Sequence, residues 1–214
     1  TAITALTAQN TQGVHDIHGV PEDFITRQIE VVLSDLGADA LKTGMLHSPA
    51  VIETVVKALE TCDAPLVVDP VMRAKGGAAL LLPEAQAALV ELLLPRATLL
   101  TPNVPEAEAL TGMSIQSMAD LQAVGERLMT LGPKAVLMKG GHLDSAAMTD
   151  VLVTDEGASI IGLGRIRRNT PHTHGTGCTL ASAVAAGLAQ QLTLHRSVER
   201  AVAYVDRAIE MAPG

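Results

Sequence analysis

Apolar residues come in two patterns along this chain. Short unbroken runs, bounded by Pro, Gly, Asn or Asp, alternate with stretches in which apolar positions return every three or four residues. The runs at 40–43, 65–68, 97–100 and 135–138, with the β-leaning run at 1–8, predict strands. The stretch 21–36 predicts a helix, because Ile25, Ile29, Val32, Leu33 and Leu36 share one face. Pro21 suits its first helical position, where a missing N–H costs nothing. Ser48 and Pro49 cap a second helix with the stripe Val51, Ile52, Val55, Val56 and Leu59. Further helices are predicted over 83–94, 105–110 and 118–131. Two more start near Thr176 and Ser197, the last with Val198, Val202, Val205 and Ile209 on one face. The segments 150–153 and 159–161 predict a hairpin or paired edge strands.

Strands alternating with helices place the chain in the α/β class. The expected architecture is a mostly parallel central sheet with helices on both faces and right-handed crossovers. The 214 residues fit one domain, with no internal repeat and no linker rich in Gly or Ser. The chain starts as if inside a strand and stops as a helix ends, so both ends of a longer protein are expected to lie outside it.

Composition narrows the partners. With 48% hydrophobic and 18% charged residues the chain builds a packed core. Lys and Arg number 15 against 23 Asp and Glu, a net charge of −8, and there is one Phe, one Tyr and no Trp. Nucleic acid, which wants a basic face and stacking rings, is a poor partner. Any phosphate must be held locally, by backbone amides, a few lysines and a metal. The mean hydropathy of +0.30 raises the question of a membrane span. The best stretch, 176–194, is uncharged but Ala-rich and contains Ser182, Gln190 and Gln191, so it reads as a buried core helix. Cys62 and Cys178 are far apart with no CxxC, which points to a reducing, cytoplasmic compartment.

The candidate chemistry gathers after the strands: Gln9-Asn10, Lys42-Thr43-Gly44, Asp69, Asn103 and Lys139-Gly140-Gly141. Parallel α/β sheets bind ligands outside the carboxyl ends of their strands. A second signal is His174-Gly175-Thr176-Gly177-Cys178-Thr179, directly before an apolar helix. Small residues let the backbone approach a ligand, and the free amides of a helix start favour an anion by about 0.3–2 kcal/mol. By composition Cys178 reads as a buried structural Cys, but in this first turn its thiolate is favoured. The loop 71–79, with Arg73, Lys75, Gly76 and Gly77, reads equally as a bland surface loop or as a flap over phosphates. The chain has no P-loop, no GxGxxG after a strand, no HExxH and no GxSxG. His15-x-x-His18 lies in a predicted loop, and with His172 and His174 invites zinc, but no Cys or acid completes a set.

Six motifs occur in order. They are Thr7-Ala8-Gln9-Asn10-Thr11, Lys42-Thr43-Gly44-Met45, Val68-Asp69-Pro70-Val71-Met72, Thr101-Pro102-Asn103 with Glu106, Lys139-Gly140-Gly141-His142, and His174-Gly175-Thr176-Gly177-Cys178. Together, over essentially the whole chain, they resemble the hydroxymethylpyrimidine and phosphomethylpyrimidine kinases of thiamine biosynthesis. These belong to the ribokinase-like superfamily, in the branch shared with pyridoxal kinases. The family's usual first strand with its Gly-rich loop, and its closing Gly-rich segment, are absent from the 214 residues. Asn169-Thr170 stands earlier than the family's Asn-Thr, with Pro171-His172-Thr173 intervening.

The resemblance implies an ATP- and Mg²⁺-dependent, cytoplasmic kinase and a homodimer. It implies Cys178 as the base toward the substrate hydroxyl, with Gly175, Thr176 and Gly177 as the anion hole. Lys139, Asn103 and Lys75 would meet nucleotide phosphates, and Asp69 and Glu106 would organise the metal through water. Gln9, Met45 and Val71 would line the pyrimidine. Read without the resemblance, Glu106 favours a helix N-terminus, Met45 packs in the core, Glu108 is solvated and Cys62 is structural. Two other functions remain open, a pyridoxal or pyridoxine kinase and a binding module without catalysis.

Overall fold

The structure is a computed structural model that describes residues 1–10, 12–74, 77–142, 147–166, 170 and 173–212. The chain opens with a hairpin that stands apart from the main sheet: β1 (Ala5–Gln9) pairs antiparallel with β2 (Val14–Gly19). The Asn10 carboxamide turns the chain by accepting the amides of Gln12 and Gly13. β2 was not expected, because His15, Asp16 and His18 break any apolar run. Backbone pairing makes this strand, and most of its residues stay exposed. His15 and His18 therefore sit on a strand and not in a loop.

The main sheet follows the expected alternation. β3 (Leu41–Thr43), β4 (Leu66–Val68), β5 (Leu99–Leu100) and β6 (Val136–Met138) lie parallel in that order. β7 (Ala147–Thr154) and β8 (Gly157–Ile166) extend the sheet antiparallel, as a hairpin longer than predicted. The period of two sorts the strand side chains into two cores. Val68, Leu100, Val136 and Met138 pack with α1 (Glu22–Asp35), α2 (Pro49–Ala58), α3 (Ala85–Ala88), α4 (Val104–Thr111) and α5 (Met118–Met129). Val67, Leu99, Leu137 and Leu152 pack with α6 (Thr176–Ala189) and α7 (Leu194–Glu210). Each fully buried Leu or Ile contributes about 1.5–3 kcal/mol. The β3–β4 register sets Lys42 opposite Val67 and Thr43 opposite Val68, so Lys42 belongs to the α6 side of the sheet.

Three of the boundaries that differ from the sequence expectation have a local physical cause. Pro21 is the N-cap of α1 and not its first helical residue. The helix expected over 83–94 is the short α3, continued by a wide turn over Leu89–Leu93 and a tight turn over Leu94–Arg96. Pro95 has no N–H to offer and crowds the preceding turn, so a regular helix cannot run through it. α7 starts before Ser197, because the Thr193 hydroxyl accepts the Arg196 amide and caps it. Ser197 is buried instead, and its hydroxyl donates to the Thr193 carbonyl at 2.9 Å. Among the described residues no helix is long and apolar enough to cross a membrane.

Candidate active site

Three strands end at one edge of the sheet, and each delivers a charge there. Asp69 follows β4 and is only 3% exposed. Its Oδ1 lies 3.2 Å from Lys139 Nζ, just past β6, and its Oδ2 lies 3.9 Å from Lys42 Nζ on β3. The buried Thr101 hydroxyl donates to Asp69 Oδ1 at 3.4 Å. Lys139 Nζ also stands 3.9 Å from Glu106 Oε2. One buried carboxylate thus separates two ammonium groups, and one ammonium serves two carboxylates.

Asn103 and Glu106 are built into the start of α4. The Asn103 Oδ1 accepts the Glu106 amide at 2.9 Å, and Glu106 Oε2 accepts the Asn103 amide at 2.8 Å. This reciprocal cap is the helix-start role the sequence offered for Glu106, and it coexists with the ion pair to Lys139. Burial raises the Glu106 pKa, while Lys139 and the Asn103 amide pull it back down.

The turn after Lys139 is fixed from behind. The Gly140 amide donates to Asp150 Oδ1 at 3.0 Å, and Arg165 Nη2 donates to Asp150 Oδ2 at 2.6 Å. Arg165 Nη1 is 3.6 Å from Asp206 on α7. Burial raises the Asp150 pKa against the opposing pull of Arg165. A Cβ on Gly140 would collide with the Thr149 carbonyl oxygen, so only glycine allows β7 to approach this closely.

Over this edge lies the start of α6. Gly175, its N-cap, takes a left-handed φ of 77°, and the amides of Gly177 and Cys178 belong to the first turn, which has no intrahelical acceptor. The Thr176 hydroxyl donates to the Thr173 carbonyl at 2.9 Å. A Cβ on Gly177 would stand 3.4 Å from Lys139 Nζ, which places that ammonium against the glycine face of the helix start.

Cys178 is exposed, not buried as a structural Cys would be. Its thiolate is not favoured, which corrects the expectation from the helix start. Crowding by protein on its inner side raises the thiol pKa, and the charge of Asp69 and a hydrogen bond to it add to the rise. Lys42 and Lys139 act in the opposite direction. The loss of water, with the local carboxylate, outweighs the pull of the two lysines.

The remaining sequence candidates divide. Gln9, at the end of β1, comes within 3.1 Å of His174 through the two Nε2 atoms, which ties the hairpin to the loop before α6. Val71 lines a small crevice with Gly44, Leu46, Asp69 and Pro70. Met45 is half-buried beside it, and its carbonyl accepts the Thr4 hydroxyl at 2.7 Å. Lys75, Asn169 and His172 lie outside the described residues. Lys42 stood among the strand-end residues without a role of its own, and His174 was weighed only for zinc. The signal was available: Lys42 is a polar residue at a strand's carboxyl end, and His174 opens the glycine-rich motif.

Among the described residues no three His, Cys, Asp or Glu side chains cluster to hold a metal. Mg²⁺ asks for less. It is commonly held by one or two carboxylates, water and substrate phosphates. Asp69 and Glu106 are hard oxygen donors that share Lys139 as a neighbour, and they fit that mode.

A polar strand edge beneath a glycine-rich helix start suits phosphoryl transfer, and known proteins of similar sequence and fold decide the family. The phosphomethylpyrimidine kinase family model matches residues 1–214. The chain belongs to this family. It is 45% identical to the hydroxymethylpyrimidine/phosphomethylpyrimidine kinase of Bacillus subtilis, over 100% of this chain and 79% of that protein. A bifunctional thiamine biosynthesis protein of Geobacter sulfurreducens is 46% identical over 98% of this chain, which spans 43% of that longer protein. The crystal structure of phosphomethylpyrimidine kinase from Clostridium difficile superposes with a TM-score of 0.84 at 41% identity, covering 97% of this chain and 85% of that one. The ADP complex of Bacillus subtilis pyridoxal kinase gives 0.88 at 32% identity, covering 100% and 80%. As a phosphomethylpyrimidine kinase family member the chain is a phosphotransferase, and the ribokinase-like α/β fold expected from its sequence is borne out.

Proposed function

We propose that this chain transfers the terminal phosphoryl group of ATP to the hydroxymethyl oxygen of 4-amino-5-hydroxymethyl-2-methylpyrimidine. It then adds a second phosphoryl group to the monophosphate, toward thiamine diphosphate. One observation carries the reading: Asp69 lies between Lys42 and Lys139 directly under the glycine-rich start of α6 that bears Cys178. Phosphoryl transfer depends on positioning and on neutralising spread negative charge, and this edge offers cations and free amides together.

Cys178 takes the proton of the acceptor hydroxyl as the new P–O bond forms. With its pKa raised, it works from a small thiolate fraction that Lys42 and Lys139 support. Gly175, Thr176 and Gly177 form the hole for the transferring group, with the Gly177 amide as its donor, since the Thr176 amide donates to the Thr173 carbonyl at 3.5 Å. Lys139 neutralises the ATP phosphates, with Asn103 and Lys75 on the nucleotide side. Gln9 exchanges His174 for the ring nitrogen and amino group of the pyrimidine, and Met45 and Val71 form its apolar wall. Asp69 and Glu106 would hold Mg²⁺, largely through water, and the ion would supply charge neutralisation at the ATP oxygens.

In this reading residues 1–214 act as one kinase domain in the cytoplasm, which two free cysteines support. Exposed Ile3, Leu6 and Phe24 near the hairpin and α1 support a homodimer. The pyridoxal kinase likeness favours a second reading, in which pyridoxal is the acceptor. Rates of ADP release with each acceptor separate the two. A kcat/KM for the pyrimidine well above that for pyridoxal supports the proposal, and the reverse order overturns it.

A further inference from the structure

We propose that Lys42 selects the second acceptor: it holds the phosphate already present on the phosphomethyl substrate while another phosphoryl group is added. The inference rests on the functional reading above and goes beyond it by dividing the two transfers between different side chains.

The two lysines at the site are not equivalent. Lys139 Nζ has two carboxylates, Asp69 at 3.2 Å and Glu106 at 3.9 Å, and it lies against Gly177. Lys42 Nζ has one, the far oxygen of Asp69 at 3.9 Å, and its side chain is 19% exposed. Its charge is the less neutralised of the two. The β3 register turns Lys42 to the α6 side of the sheet, and the ammonium folds back over Gly44, where a Cβ would come within 2.7 Å of Nζ. Gly44 lines the crevice with Val71, and α6 bears Cys178, so Lys42 stands toward the acceptor side of the site while Lys139 stands toward Glu106 and Asn103.

The two reactions make different demands. The first acceptor is a neutral alcohol. Its oxygen bonds to the terminal phosphorus of ATP, the bond from that phosphorus to the bridging oxygen breaks, the electron pair stays on ADP, and the hydroxyl proton goes to Cys178. The second acceptor is a phosphate monoester, which carries a charge of about −1.5 to −2 at neutral pH. One of its charged oxygens makes the new P–O bond, the same bridging bond breaks, the pair again stays on ADP, and no proton needs removing. The second transfer therefore has little use for a base. It needs a cation beside the acceptor to offset the repulsion between two phosphates, and Lys42 is the ammonium on that side.

The test compares kcat/KM for the alcohol and for its monophosphate, each with ATP and Mg²⁺, in the wild-type chain and in Lys42→Met, Lys42→Arg and Cys178→Ser. Lys42→Met lowers the monophosphate value more than the alcohol value, shifting their ratio by about 10- to 100-fold, the range expected for a lost charge-assisted contact. Lys42→Arg restores most of the ratio. Cys178→Ser shifts the ratio the opposite way. Circular dichroism of each variant reports folding, and Lys42→Gln, which removes the charge but keeps a polar side chain, carries the same prediction and the same overturning result if Lys42→Met does not fold. A ratio unmoved by Lys42→Met, or moved the same way by Cys178→Ser, overturns the proposal and leaves the kinase reading standing. A wild-type chain that phosphorylates neither compound overturns both.

Discussion

Lys139 Nζ lies 3.2 Å from Asp69 Oδ1, although 70 positions separate the two residues in the chain. The contact crosses from the end of β6 to the end of β4, over the strand between them. It puts a buried carboxylate and the main cation of the site under the amides that open α6. It also makes the site electrostatically interdependent, since Glu106 depends on the same ammonium.

Removing that ammonium strands two buried acids. Lys139→Met is expected to destabilise the fold by about 3 kcal/mol, the low end for breaking a buried pair, because Lys42 still faces Asp69. Adding Glu106→Gln recovers part of the loss, with a coupling of about 1 kcal/mol in urea unfolding. Strict additivity of the two substitutions contradicts the shared pairing.

Glu106 carries a pH signature. Its folded pKa is raised, so between the ordinary glutamate value and that raised value the native state holds a proton the unfolded chain has lost. Stability therefore falls as pH rises through this window, and the deficit is complete above it. Glu106→Gln keeps the reciprocal cap and removes the deficit. Its thermal midpoint should exceed that of wild type at neutral pH, by an amount worth about 1 kcal/mol, while activity drops. The advantage should close as pH falls below the glutamate range. A variant less stable at neutral pH means that burial does not dominate.

For Cys178, alkylation by iodoacetamide in a Cys62→Ser background reads the thiolate directly. The raised pKa predicts a midpoint above the ordinary thiol value, with the rate still climbing where a free thiol has levelled off. Asp69→Asn should lower the midpoint, because Asp69 opposes ionisation through both its charge and its hydrogen bond. A midpoint at or below the ordinary value shows the helix start dominating.

Gly140→Ala drives a methyl into the Thr149 carbonyl oxygen, a backbone atom that cannot swing aside. We expect a cost of about 3 kcal/mol and a raised KM for ATP, because the displaced turn carries Lys139. Gly19→Ala, where a Cβ meets nothing, should stay within about 0.5 kcal/mol of wild type. Equal behaviour of the two variants removes the argument for the close approach.

The strands and helices of the main sheet were legible because period two and period 3.6 are local and strong in them. Val67 and Val68, adjacent in sequence, go to opposite cores as that pattern requires. β2 was not legible, because its pairing with β1 uses backbone bonds that leave no apolar trace. The irregular turns after α3 are a response to Pro95, which marks a break without saying how the chain accommodates it. The strand-end rule brought Asp69, Asn103 and Lys139 to one edge correctly, and the glycine-rich motif placed Cys178 above them. Lys42 was named at its strand end but given no role, because an isolated lysine carries no sign of its partner, and Asp69 lies 27 positions away. The rise in the Cys178 pKa was equally hidden, since it comes from Asp69 and from packing that only the assembled fold supplies.

The central claim meets its most direct test in a mass spectrum. The chain is incubated with ATP, Mg²⁺ and equal amounts of the hydroxymethylpyrimidine and pyridoxal, and the products are weighed. Pyrimidine carrying one and then two added phosphoryl groups is the predicted result. Phosphorylated pyridoxal with unreacted pyrimidine, or ATP left intact beside both compounds, contradicts it.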